Sequence, residues 1–295
     1  MKDRIIDCLA YDGKVSIKCI SSKNIVEEAR KLHDLTPTAS AALGRLLTIT
    51  SIMGYEIKEE DGSITNQLKA DGPLGILTSV GYSNGNVKGY VANSKVELPL
   101  NEENGKINVG EAVGKNGMLY IIKDLGVGVP YVGMTPVVSG EIAEDFTNYF
   151  AKSEQTPSAI ALGVLVDKNG IKSAGGYKLS LMPDATEEEI EKIEKRLKEV
   201  KPISKILDEE ISLEEIAKLV TGDEGIKILS EIYPKYECNC SKEKTEKSLI
   251  ALGKEELEKM IEEEEKIEIV CNFCNTKYNF SKEDLKKLLE EAKNK

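Results

Sequence analysis

Two periodicities divide this chain. Over the first 183 residues apolar and polar positions alternate in short runs, whereas beyond Pro183 apolar residues recur every three or four positions. The first pattern predicts strands and the second amphipathic helices. From Asp3 to Ile20 two alternating runs flank Asp12-Gly13, a pair suited to a type I′ turn, so a hairpin is expected with Val15, Ile17 and Cys19 on one face. Ala39 to Gly54 reads as a helix. From Ile64 to Gly140 short apolar runs are punctuated by Asp71-Gly72-Pro73, Asn84-Gly85, Asn104-Gly105 and Asn116-Gly117, which predicts an antiparallel β region. A helix over Ile142 to Ala151 and a strand over Ala161 to Val166 should follow. The Asn169-Gly170 turn then leads to a strand from Tyr177 to Met182.

After Pro183, Thr186 and Glu189 have the spacing of a capping box, and Ile190, Ile193, Leu197 and Val200 follow at helical steps. Pro202 should end that helix. Ser212 and Glu215 repeat the box ahead of Ile216, Leu219 and Val220. Lys242 to Glu265 is helical in pattern, broken at Gly253, and Glu262 to Glu265 reads as a solvated helix end. Ile267 to Val270 and Lys277 to Phe280 look like strands, and Ser281 with Asp284 opens a last helix. The fold class expected is α+β: a core over 1–183 rich in antiparallel β, a helical linker over 184–235, and a small C-terminal domain over 236–295.

Composition sharpens the division. Residues 1–183 hold 21 of the 24 glycines and 40 charged side chains, against three glycines and 51 charges in the remainder. The net charge of −11 is uneven: 184–237 carries 16 acidic and nine basic residues, whereas the segments on either side are each close to neutral. Excess negative charge repels phosphate backbones and anionic lipids, so neither nucleic acid nor membrane is the expected partner. Charges at Lys2, Asp3, Arg4 and Asp7 interrupt any signal-peptide core, and no apolar run approaches the ~18 residues of a membrane span. A cytoplasmic location follows as the expectation, and there cysteine clusters are more often metal or redox sites than structural disulfides.

Four of the six cysteines fall within 37 positions, as Cys238-Asn239-Cys240 and Cys271-Asn272-Phe273-Cys274. Two short spacers let two turns each supply two thiolates to a tetrahedral ion, so one Zn2+ is the favoured ligand, with iron as the alternative. A thioredoxin-type dithiol is a further reading, but its C-x-x-C opens a helix, whereas this one sits between two predicted strands. Burial alone leaves a module of about 60 residues marginal, so such a metal would hold the fold together. Whether the site is static or a switch is open on spacing alone, because oxidants compete with metal for the same sulfurs. Cys8 and Cys19 read as packing residues and His33 as a surface or capping residue. No nucleophilic or acid–base triad is present, no P-loop is found, and Gly126-Val127-Gly128 lacks the context of a dinucleotide fingerprint. The chain is not expected to be an enzyme.

At these residues the sequence resembles the redox-regulated chaperones of the 33-kDa heat-shock protein family. The similarity covers Cys238-x-Cys240-Ser241, Ala251-Leu252-Gly253 and Cys271-Asn272-Phe273-Cys274 with Tyr278 and Phe280. In the N-terminal part it covers Asp71-Gly72-Pro73-Leu74-Gly75, Gly89-Tyr90, Lys123-Asp124, Gly140 to Asp145, Ser153 to Ser158, Gly175-Gly176-Tyr177 and Met182-Pro183. Lys88 departs from the family's usual Arg, keeping the charge but losing the bidentate fork. The resemblance implies an ATP-independent holdase, inactive when reduced and zinc-bound. Oxidation would join Cys238 to Cys240 and Cys271 to Cys274, release zinc, unfold the C-terminal module and linker, and favour a homodimer that holds unfolding client proteins. Ile190, Ile193, Leu197 and Val200 are candidate client contacts once their packing is lost. The competing reading is a zinc-stabilised adaptor without a redox switch.

Overall fold

The computed structural model describes residues 2–102, 105–209, 211–263 and 266–293; Asn104 of the expected Asn104-Gly105 turn, and Glu264 and Glu265 of the acidic run, lie outside them. The chain forms two compact units, Met1–Glu237 and Cys238–Lys295.

The first unit opens with β1 (Arg4–Ala10) and β2 (Val15–Ser21), paired antiparallel. Their connection is a short 3-10 turn over Tyr11–Gly13 and not the expected two-residue type I′ turn. The longer loop lets the Tyr11 amide donate to the Asp223 carboxylate at 2.7 Å, a tertiary bond invisible to local propensity. Val15, Ile17 and Cys19 do share one buried face. Helices α1 (Lys23–His33) and α2 (Pro37–Tyr55) follow, with the Thr36 hydroxyl accepting from the Ala39 amide at the start of α2. Helix α2 packs against strands of two sheets, which explains why it is buried along nearly its whole length and, Arg45 apart, carries no charged side chain.

Strands β3 (Ser63–Ala70), β4 (Ile76–Tyr82) and β5 (Val87–Val91) precede the short α3 (Val109–Val113). Then come β6 (Gly117–Asp124), β7 (Tyr131–Pro136), α4 (Ala143–Lys152), β8 (Ser158–Asp167) and β9 (Gly170–Leu181). Strand β9 begins at Gly170, well before the expected Tyr177, because it pairs with β8 along its whole length. One sheet has the order β5-β4-β3-β6-β7, and the expected antiparallel region is therefore real.

The acidic segment supplies α5 (Glu187–Glu199), α6 (Ile203–Asp208), α7 (Leu213–Thr221) and β10 (Lys227–Ile232). Both capping boxes form: the Glu189 and Glu215 carboxylates accept from the Thr186 and Ser212 amides at 2.8 Å. The segment is not wholly helical, since β10 pairs with β1 and completes the second sheet, β10-β1-β2-β9-β8. Its narrow apolar stripes are too small to stand alone. Ile193, Ile206, Ile216 and Val220 bury against Ile6, Cys8, Ile17 and Leu179 of the sheet, forming a second core beside the one around α2.

The second unit contains α8 (Lys242–Ala251), α9 (Lys254–Glu263), β11 (Lys266–Val270), β12 (Lys277–Ser281) and α10 (Lys282–Lys293). Gly253 separates the first two helices with φ +94°, a left-handed angle that glycine adopts without strain. Among its described residues the buried apolar side chains are Leu249, Leu257, Phe280, Leu285 and Leu288.

Candidate metal centre

The β11–β12 hairpin pairs Ile267 with Phe280 and Ile269 with Tyr278, so one face of each strand meets the core. The turn between the strands carries Cys271 and Cys274. The Cys271 amide donates to the Thr276 carbonyl at 2.9 Å, and the Asn275 amide returns to the Cys271 carbonyl at 2.8 Å with Asn275 at φ +57°. This knuckle aims both thiols to one side. Cys238 and Cys240 lie just before α8, whose Ser241 hydroxyl accepts from the Lys244 amide.

These two short motifs converge. All four sulfurs lie within 4.8 Å of one another, with Cys238 Sγ 3.8 Å from Cys271 Sγ and Cys240 Sγ 3.3 Å from Cys274 Sγ. A tetrahedral ion at ~2.3 Å from four sulfurs requires S···S separations of about 3.8 Å, so the donor set fits a four-thiolate metal. None of the four is joined in a disulfide. Cys8 and Cys19 are fully buried in the first unit, where burial pushes the Cys8 thiol up to about 11 and raises the Cys19 thiol well above its ordinary value. Both stay neutral and inert.

Burial raises the Cys238 thiol, and the Cys240 amide only partly offsets it; Cys271 is raised for the same reason. Burial also acts against Cys274, yet hydrogen bonds from the Thr276 hydroxyl and amide, and from Cys240 and Cys238, bring it down to about 7. A divalent cation deprotonates the thiols that coordinate it. Tyr278 donates its phenol to Cys240 Sγ at 3.1 Å, an outer contact of the kind that orients metal ligands. The sequence flagged Tyr278 only as part of a motif; its contact with Cys240 depends on strand register.

The family pattern described as Hsp33 protein matches residues 3–281. The chain belongs to the Hsp33 family. It is 47% identical over 292 residues to a 33 kDa chaperonin of Clostridium perfringens, covering 99% of this chain and 92% of the relative. A 33 kDa chaperonin of Bacillus cytotoxicus is 45% identical over 291 residues, covering 98% and 99%. The crystal structure of the 33 kDa chaperonin of Thermotoga maritima superimposes with a TM-score of 0.89 at 38% identity, covering both chains completely.

Several motif residues of the first unit hold turns in place. Asp71 accepts from the Lys115 and Asn116 amides at 3.1 Å, locking two turns together. Buried Asp145 accepts from the Val138 and Ile142 amides at 2.8 and 2.9 Å, and Arg45 pairs with Glu141 at 2.5 Å. Glu154 Oε1 accepts from both Lys123 Nζ and the Tyr149 phenol at 2.6 Å, so Ser153 to Ser158 organises a turn. Lys88 is buried with its ammonium 5.6 Å from the Tyr82 ring centre. His33, at the end of α1, is half-buried, with Nε2 3.3 Å from the Tyr236 phenol. Of the candidate client contacts, Ile193 is buried and Ile190, Leu197 and Val200 are half-buried. No described helix is long and apolar enough to cross a membrane.

Proposed function

We propose that this member of a chaperone family is a redox-regulated, ATP-independent holdase of the cytoplasm. The convergence of four thiols in a small, weakly cored unit carries the reading. In the reduced state Cys238, Cys240, Cys271 and Cys274 hold one Zn2+, which supplies positive charge against the thiolates and cross-links the start of the unit to the β11–β12 turn. Structural zinc contributes roughly 10 to 16 kcal/mol in small modules, comparable to the whole stability of an ordinary domain, so its loss unfolds the unit.

Oxidation by a hypochlorous-acid-type oxidant converts each thiolate pair to a disulfide: two thiolates and HOCl give the disulfide, chloride and hydroxide. The pairs are Cys238 with Cys240 and Cys271 with Cys274. Four ligands are thereby lost, the zinc module over 236–295 unfolds, and the segment over 184–235 loosens. The stripe Ile190, Ile193, Leu197 and Val200 then meets apolar segments of unfolding clients, its acidic neighbours keep the complex soluble, and the oxidised protein assembles as a homodimer. The test is suppression of aggregation of a heat-unfolded client by the reduced zinc protein and again after oxidation, with zinc release and free thiols followed in parallel. Protection only after oxidation supports the switch; equal protection in both states supports a static adaptor.

A further inference from the structure

The segment 227–237, immediately before Cys238, is a strap across the edges of both sheets of the first unit. Its first half is β10, the edge strand on β1: Ile5 opposes Ile232, Ile6 opposes Glu231 and Asp7 opposes Ser230, with a bulge beyond Asp7. Its second half bridges Val87 at the edge strand β5, with the Val87 amide donating to the Lys235 carbonyl and the Glu237 amide to the Val87 carbonyl, both at 3.0 Å. The Tyr236 phenol donates to the Gly89 carbonyl at 2.8 Å.

Several strap side chains add to that pairing: Tyr236 packs against the core around α2, Ser230 bonds the Tyr55 phenol, and Glu231 pairs with Arg4 at 3.4 Å. Ile228 and Leu229 are 47% and 50% exposed. The main apolar anchor of β10 is Ile232, seated on buried Ile5, Ile20 and Ile52 beside Tyr55. A Cβ on Gly85 would lie 2.6 Å from Ile232 Cδ1, so the seat is shaped for that side chain. What β1 accepts at its outer edge is therefore visible: an extended segment, antiparallel, held by its main chain, by one seated aliphatic residue and by polar contacts of Ser230 and Glu231.

We propose that the β1 edge is a docking site for extended segments of unfolding polypeptides, closed in the reduced protein by β10. This rests on the holdase reading and assigns it a binding mode. Main-chain pairing reads little sequence, as a chaperone for many clients requires. It also separates unfolded from native partners, because native chains satisfy or blunt their own strand edges. Release starts at Glu237, the residue adjoining Cys238, and peels towards β10 when the C-terminal unit loses its fold.

Hydrogen exchange on the full-length chain tests this in three states: reduced, oxidised, and oxidised with carboxymethylated α-lactalbumin, a permanently unfolded probe. Amides of Arg4–Ala10 that face β10 should exchange slowly, then at least about tenfold faster, then slowly again. Open β1 amides in a client-bound, aggregation-suppressing protein overturn the edge while leaving the holdase reading intact. Oxidised protein that neither suppresses aggregation nor captures the probe strikes the holdase reading, and the edge falls with it. Protection restored by raising the oxidised protein's own concentration makes a second copy the occupant and overturns the client assignment. As a second measure, Ile232→Ala should raise probe capture by the reduced protein about tenfold and leave the oxidised protein unchanged. Fast exchange of β10 in that variant without any gain in capture also overturns the proposal.

Discussion

The two units solve the stability problem differently. Met1–Glu237 has two sheets, a helix buried between them and a helical layer outside, giving two large apolar cores and a smaller cluster around Ile5, Ile20 and Ile52. Among the described residues, Cys238–Lys295 has five buried apolar side chains and four converging thiols. A chain of its length buries too small a fraction of its surface to be secure without a staple. The difference teaches where control can reside. Stability spread over many contacts changes little when one is lost, whereas stability concentrated on four sulfurs can be removed by a single reagent.

The sharpest way to break that comparison is metal removal. Chelating the metal from reduced protein should abolish amide protection in β11 and β12 while β3, β4 and β6 stay protected, a loss on the order of 10 kcal/mol confined to one unit. Cys271→Ser should do the same in reductant. Uniform loss across both units would show that they are not separable. Next in size, Phe280→Ala should destabilise the second unit by about 3 to 5 kcal/mol, and Leu46→Ala should cost the first about 2 to 5 kcal/mol without changing metal affinity. Calorimetry with and without metal separates the two. Smaller again, Ser212→Ala removes the cap of α7 and should cost about 1 kcal/mol, read as a lower midpoint for the first unit alone.

The smallest effect concerns pH. Hydrogen bonds from Arg30, outweighing partial burial, together with the Ile171 amide, hold the Glu27 carboxyl at about 2 against an ordinary 4.5. A depressed carboxylate stabilises the fold above its unfolded pKa, and that contribution fades as pH falls from about 4.5 to about 2. Glu27→Gln should therefore lower stability at pH 7 by less than about 1 kcal/mol, given solvent screening, and the difference should close near pH 2. Thiol counting adds a check: in denaturant-free, metal-free reduced protein, Cys8 and Cys19 should resist alkylation while the other four react, because their burial disfavours the thiolate.

Much of this was legible in the chain, and for local reasons. The boxes at Thr186 and Ser212, the break at Gly253 and the strands beside Cys271-x-x-Cys274 depend on neighbours within a few positions. The cysteine spacing was equally readable, since two-residue and one-residue spacers leave few ways to present paired thiols. The strap was not. Lys227 to Ile232 has three apolar residues, two charges and a serine, and it is a strand because β1 offers it an edge, not because its own pattern requires one.

The sequence by itself determined the change of periodicity near Pro183, the individual helices and turns, and which four sulfurs can share a ligand. Those depend on dihedral preference, capping and short spacers, all settled within one or two turns of chain. Tertiary structure decided that the acidic helices cover a sheet, that 227–237 closes two strand edges, and that Cys238 and Cys240 meet Cys271 and Cys274. Those depend on which apolar faces and unpaired backbone edges find one another across long separations, where many pairings satisfy the local pattern and burial of the whole selects among them.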